Sequence, residues 1–187
     1  MKHEDAPRPK EQTSLLEPNA NLEPRASLTW DEYFILIALF TSLRSKDPRS
    51  KVGAVLVNGR KHIVGTGYNG FVREADETRF TWRSDGDWLD TKYPYVVHAE
   101  QNAILNATTS NLDDCVIYTT LFPCNECARI IAQKKIRTVI YLSGKHMDLD
   151  SRKATRIIFE ASGVTWRQMP LPPFEILAQS VVEKLFP

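Results

Sequence analysis

Val96-Val-His-Ala-Glu-Gln-Asn-Ala-Ile104 and, further along, Leu121-Phe-Pro-Cys-Asn-Glu-Cys-Ala128 are the two stretches that organise this chain. Each reads as a helix start that carries metal-ligand side chains. Together they offer one imidazole (His98) and two thiols (Cys124 and Cys127), three protein ligands for a tetrahedral zinc, with the fourth position left for water. Glu100, two residues past the imidazole, is placed to move protons to and from that water. A C-x-x-C with a remote His also occurs in structural zinc knuckles, where a fourth Cys or His closes the site. The one spare thiol, Cys115, opens the apolar run Cys115-Val-Ile-Tyr118 and reads as a small core residue. A closed structural site gives no reason for a Glu beside the His.

Working outward, Ala99–Asn106 and Cys124–Lys134 are expected helices, with Cys124 and Cys127 in the first turn of the second and Pro123 suited to its N1 region. Two helix N-termini then converge on one point, where their dipoles favour thiolate. Two thiolates and a neutral imidazole bring a zinc ion to zero formal charge, leaving it Lewis acidic. Upstream, Thr29-Trp-Asp-Glu32 has the form of a capping box, followed at helical spacing by Tyr33, Phe34, Ile37 and Phe40, so a first helix runs to about Arg44. The runs Val52–Val57 and His62–Tyr68 flank Asn58-Gly59, a hairpin signal. Residues 70–95 lack periodicity and read as a functional loop. Strands are expected over Val116–Thr120, Thr138–Leu142 and Val164–Arg167, with a helix over Asp150–Ala161 stopped by Gly163 and a last amphipathic helix over Phe174–Phe186. The resulting fold class is α/β, a five-stranded mixed sheet flanked by helices in three layers.

The 187 residues suit one domain, with 42% apolar content to form its core. Residues 1–26 hold Pro7, Pro9, Pro18 and Pro24 among charges and are expected to be a mobile tail before a domain spanning 27–187. Three cysteines, two of them claimed by the metal, leave no disulfide framework and point to the cytoplasm, or the nucleus. No apolar run approaches the roughly 18 residues of a membrane span, and no signal peptide is expected. The net charge of +1 argues against a long nucleic acid as partner, because gripping many phosphates calls for a basic excess. A small anion needs only local charge, such as that of Arg44-Ser-Lys-Asp-Pro-Arg-Ser-Lys51. In that segment Arg44 and Lys46 are the candidates for a phosphate group.

The H-x-E…P-C-x-x-C pattern is a known signature of zinc nucleobase deaminases. Lys92-Tyr-Pro-Tyr-Val-Val-His-Ala-Glu-Gln-Asn-Ala-Ile104 and Leu121–Ala128, with Arg44-Ser-Lys-Asp-Pro48, Val52-Gly-Ala54 and Gly67-Tyr-Asn-Gly70, closely resemble the deoxycytidylate (dCMP) deaminase family. The resemblance runs from about Trp30 to Arg167. It implies a cytidine-deaminase-like fold and hydrolysis of dCMP to dUMP and ammonia, feeding thymidylate synthesis. Water acidified by zinc would attack C4 of cytosine, with Glu100 as base and then acid. The resemblance further implies that Asn69 contacts the sugar hydroxyl, and Tyr95 is a candidate to line the pocket. It also implies a homohexamer, and a dCTP effector bound with Mg2+ near Gly67, Tyr68 and Gly70.

The chain departs from the family after Gly70. There Phe71-Val-Arg-Glu-Ala-Asp76 replaces a small, Pro-bearing turn and a Gly-Cys pair in the loop associated with the effector. With Arg73 and Arg79 nearby, a zinc-type dCTP deaminase is the alternative substrate reading. Near-neutral charge argues against a polynucleotide editor or a tRNA adenosine deaminase, and the Arg44–Lys46 loop argues against a nucleoside deaminase. A catalytically silent deaminase-fold interaction protein is the alternative of another class, and the presence of Glu100 speaks against it.

Overall fold

The computed structural model describes residues 27–170; the expected tail over 1–26 and the expected helix over 174–186 lie outside them. Helix α1 (Trp30–Ser42) starts at the expected capping box: Glu32 N–H donates to Thr29 Oγ1 (3.3 Å), and Thr29 N–H donates back to the Glu32 carboxylate (2.7 Å). Strands β1 (Gly53–Val57) and β2 (Ile63–Tyr68) form the antiparallel hairpin. Its loop is not the two-residue Asn58-Gly59 turn. It closes between Asn58 and Lys61, and Lys61, at φ 64°, takes the left-handed conformation.

The long loop contains a short antiparallel pair, β3 (Gly70–Phe71) with β4 (Val96–Val97), which returns the chain to the start of α2 (Ala99–Leu105). An aromatic cluster of Phe71, Phe80, Trp82 and Tyr95, with neighbouring ring centroids 4.2–5.0 Å apart, fills the loop. Then follow β5 (Val116–Leu121), α3 (Asn125–Gln133), β6 (Thr138–Ser143), α4 (Asp150–Ser162) and β7 (Thr165–Gln168). Gly163, at φ 71°, ends α4 as the expected left-handed cap.

The five-stranded sheet has the order β2-β1-β5-β6-β7, antiparallel across β2-β1-β5 and parallel across β5-β6-β7. Period-two alternation sends Ala54, Leu56, Ile117, Val139 and Tyr141 to one face, with α2, α3 and α4. Val55, Val57, Tyr118 and Ile140 go to the other, with Phe34, Ile35 and Ala38 of α1. Three layers result, as expected from the sequence. Glycines on the strands let helices approach: a Cβ at Gly53 would lie 2.1 Å from the Ala38 carbonyl oxygen of α1. One at Gly67 would lie 2.3 Å from both Ala99 O and Ala103 N of α2.

Candidate metal centre

His98 is the N-cap of α2, extended at φ −73°, ψ 157°, and its N–H is held by the Gln101 side chain (3.1 Å). Cys124 is the N-cap of α3 and Cys127 lies in its first turn, so Pro123 precedes the cap instead of occupying N1. His98 Nδ1 sits 3.3 Å from Cys124 Sγ and 3.3 Å from Cys127 Sγ, and all three ligand atoms fall within 4.8 Å of one another. Zinc bonds of 2.0–2.1 Å to nitrogen and 2.3 Å to sulfur, at tetrahedral angles, put nitrogen and sulfur about 3.5 Å apart, so the donor set is pre-shaped for that ion. Among the described residues no fourth His, Cys, Asp or Glu joins the group, and Cys115 is buried in the core.

Glu100 lies in the first turn of α2 and is buried, with Oε2 3.4 Å from Cys127 Sγ and Oε1 accepting from Thr119 Oγ1 of β5 (3.3 Å). Burial pushes its carboxyl above the ordinary carboxylate range. The two thiols are displaced in opposite directions. A hydrogen bond from Cys127, helped by the adjacent His98 ring, lowers Cys124 to about 3, whereas the bond to Cys124 and burial hold Cys127 well above the usual thiol value. The hydrogen bond to Cys124 raises His98, against the pull of burial.

His98, Glu100 and Cys124 open on a cavity of about 540 Å3. Leu121 and Phe122, at the C-terminal end of β5, and Lys145 and His146, after β6, form part of its wall. The cavity therefore lies outside the carboxyl ends of parallel strands, where α/β sheets place ligands. Asn69 also lines it, but its amide is engaged. Oδ1 accepts from Val52 N–H (2.8 Å), and Nδ2 donates to the Ser50 carbonyl (3.0 Å) and to Asp47 Oδ2 (3.3 Å). Asp47 forms a buried ion pair with Lys92 and accepts from the Arg49 and Ser50 N–H groups.

Other expected site residues lie elsewhere. Arg44 and Lys46 line a neighbouring cavity of about 290 Å3, together with Gly67, Tyr68, Gly70 and Arg73, and Lys46 is bound there to Glu77 (2.8 Å). Tyr95 is turned into the loop, its hydroxyl donating to the Leu89 carbonyl (3.0 Å); Tyr93, two residues earlier, reaches the metal cavity instead. Arg73 and Arg79 are likewise absent from the metal cavity. The sequence reading missed Tyr93, Lys92, Lys145 and Arg152, although the position of Lys145 just beyond a parallel strand was a usable signal.

Residues 28–143 match the model of the cytidine and deoxycytidylate deaminase zinc-binding region. The chain belongs to this family. Deoxycytidylate deaminases of Pongo abelii and Homo sapiens are each 47% identical over 142 residues, covering 75% of this chain and 80% of theirs. The crystal structure of the dCMP deaminase from cyanophage S-TIM5, in complex with dCMP and dUMP, matches at TM-score 0.59 with 27% identity, over 74% of this chain and 95% of that one. Membership in this zinc-binding family agrees with the tetrahedral fit of His98, Cys124 and Cys127. No helix among the described residues is long and apolar enough to cross a membrane.

Proposed function

We propose that the protein hydrolyses dCMP to dUMP and ammonia, the dUMP being a precursor for thymidylate. The observation that carries this reading is a buried Glu100 carboxylate beside a three-ligand cluster on the floor of a nucleotide-sized cavity. The near-half identity to deoxycytidylate deaminases supports dCMP as the substrate. His98, Cys124 and Cys127 hold zinc, which supplies a Lewis acid able to acidify water near neutral pH.

Glu100 does the proton work. It takes a proton from the water that adds to C4 and gives it to N3, then takes the proton of the resulting C4 hydroxyl and gives it to the departing amino group. The C4–N4 bond breaks, ammonia leaves with its electron pair, and the carbonyl of uracil remains. Thr119 aims the carboxylate by its hydrogen bond to Oε1. Asn69 keeps the loop of Asp47–Val52 in place, and the second lone pair of its Oδ1 is what it has left for the sugar hydroxyl.

The cavity lined by Arg44, Lys46, Gly67, Tyr68, Gly70 and Arg73 takes the effector in this reading. It offers cations for the phosphates of dCTP and the carboxylates of Glu74 and Glu77 near a Mg2+ ion. Exposed Trp30, Phe40 and Leu43 on α1 supply apolar surface for assembly into a homohexamer. The cysteine complement, with all three thiols free, suits a cytoplasmic enzyme.

The test is ammonia release by the zinc-loaded protein from dCMP, dCTP and deoxycytidine, alongside Glu100→Gln. Wild type should prefer dCMP, and the variant should lose about 1,000-fold or more in turnover, the scale of a proton-transfer group, with its zinc retained. A variant that kept a tenth of the activity, or a wild type inert toward dCMP, would overturn the proposal.

A further inference from the structure

Two of the metal-ligand residues, His98 and Cys124, are helix N-caps. An N-cap side chain ordinarily fixes the first turn of its helix by accepting from the free N–H groups there. At these two positions the side chain is committed to the metal, so the helix starts are held by other groups. For α2 the substitute is local, since Gln101 Oε1 accepts from His98 N–H (3.1 Å). For α3 it comes from a different helix. Pro123, just before the cap, has no N–H, and its carbonyl is its one hydrogen-bonding group. That carbonyl accepts from Thr155 Oγ1 of α4 (3.0 Å), and no other donor reaches it among the described residues. Both residues are buried.

Thr155 Oγ1 lies equally close to the Ser151 carbonyl (3.0 Å), but within α4 that carbonyl is already the acceptor for the Thr155 N–H. A hydroxyl has one proton to give, and only Pro123 depends on it. One residue earlier, Phe122 N–H donates to the Ser143 carbonyl of β6 (2.9 Å). The lead-in to Cys124 is therefore tied to the sheet at one residue and to α4 at the next. Cys124 and Cys127 both belong to the start of α3, so any pivot about this point changes the distance from each sulfur to His98 Nδ1, 3.3 Å in both cases. Metal sites tolerate only about 0.2 Å in such distances. We infer that Thr155 is a positioning residue of the metal centre, setting through the Pro123 carbonyl where the two sulfurs stand relative to His98, given that these three ligands hold zinc as proposed above.

The experiment measures zinc affinity by chelator competition for wild type, Thr155→Val, Thr155→Ser and Val57→Ala, with the thiolate-to-metal absorption of the cobalt-loaded proteins and the melting temperatures of metal-free samples. Thr155→Val keeps the shape and loses the donor; it should weaken zinc about 10- to 100-fold, the range of outer-shell partners, and shift the cobalt absorption. Thr155→Ser retains the hydroxyl and should bind zinc within about threefold of wild type. Val57→Ala removes core volume at the opposite end of the sheet, where Val57 pairs with Val116, and should lower the melting temperature without changing zinc affinity. Thr155→Ala, which differs from Thr155→Ser by the hydroxyl alone, carries the comparison if the valine variant does not fold. Wild-type zinc affinity and cobalt absorption in the hydroxyl-free variant, or equal losses in the serine and hydroxyl-free variants, would overturn the assignment of Thr155. Wild-type protein that gave no thiolate-to-cobalt absorption would instead overturn the zinc reading itself.

Discussion

Gly67→Ala separates two roles for one residue. In the effector reading proposed above Gly67 stands with Tyr68 and Gly70 beside the ligand, but in the structure it is also the surface on which α2 rests. The new Cβ would lie 2.3 Å from Ala103 N, 2.3 Å from Ala99 O and 2.8 Å from Asn102 C, all backbone atoms that no rotamer change can move aside. Ordinary contact begins near 3.4 Å, so α2 must recede from β2 by about 1 Å. That helix carries His98 at its cap and Glu100 in its first turn, whereas Cys124 and Cys127 stay with α3. Metal sites tolerate about 0.2 Å in ligand distance, and a 1 Å misplacement in a catalytic site costs about 100-fold. Overpacking at about 1–3 kcal/mol should lower the melting temperature by about 3–10 °C. Zinc retention against a chelator and dCMP turnover without effector should fall together, turnover by about 100-fold. Gly70→Ala is the control, since its Cβ meets only the Tyr68 ring, at 3.7 Å. A Gly67→Ala protein with normal melting, zinc and basal turnover, altered only in its response to dCTP, would refute the packing argument.

Lys92→Met leaves the Asp47 carboxylate buried without its cation and should destabilise the protein by about 3–5 kcal/mol in denaturant titration; Lys92→Met with Asp47→Leu should not restore the loop, because Asp47 also holds the Arg49 and Ser50 N–H groups. Burial pushes Asp31 up, but hydrogen bonds from Tyr118 (2.7 Å) and from Arg167 outweigh it and leave the carboxyl below 3.8. A depressed carboxyl contributes stability above its unfolded value that is lost as pH falls through the folded one, so the melting-temperature gap between wild type and Asp31→Asn should hold from pH 7 to 5 and close below about 4. In metal-free protein Cys124, held at about 3 and partly exposed, should be alkylated by iodoacetamide ahead of Cys115 and Cys127, and zinc should protect it; equal rates with and without zinc would contradict the cluster.

The metal cluster was legible because each half of it is local. Cap and first turn of one helix hold His98 and Glu100, cap and first turn of another hold Cys124 and Cys127, and helical spacing alone puts each pair on one side. The three layers were legible for a similar reason, since alternation along β1 and β5 names both faces. The rest of the cavity comes from six separate stretches, around Asp47, Asn69, Tyr93, Phe122, Lys145 and Arg152, and no spacing rule brings those together. Tyr93 and Tyr95 show the limit: both follow the same lead-in, yet packing against Phe80 takes Tyr95 into the loop. Asn58-Gly59 signalled a hairpin correctly, but the sequence marks neither the left-handed Lys61 nor the register shift near the end of β1.

The segment from Arg44 to Val52 explains why Arg44 and Lys46 line the smaller cavity and not the metal cavity. Ser45 Oγ donates to the Asn69 carbonyl (2.8 Å), and Asp47 turns inward to Lys92, so the chain between them is pinned against the end of β2. Residues before that pin face the smaller cavity and residues after it face the metal. Asn69 is on the metal side, with Tyr68 and Gly70 on the other, because neighbouring residues of an extended segment point opposite ways. The Asn69 amide, bonded to Val52, Ser50 and Asp47, thus stands between residues that line the two cavities. In the effector reading proposed above, the Asn69–Asp47–Lys92 network is the contact through which the smaller cavity would meet the metal cavity.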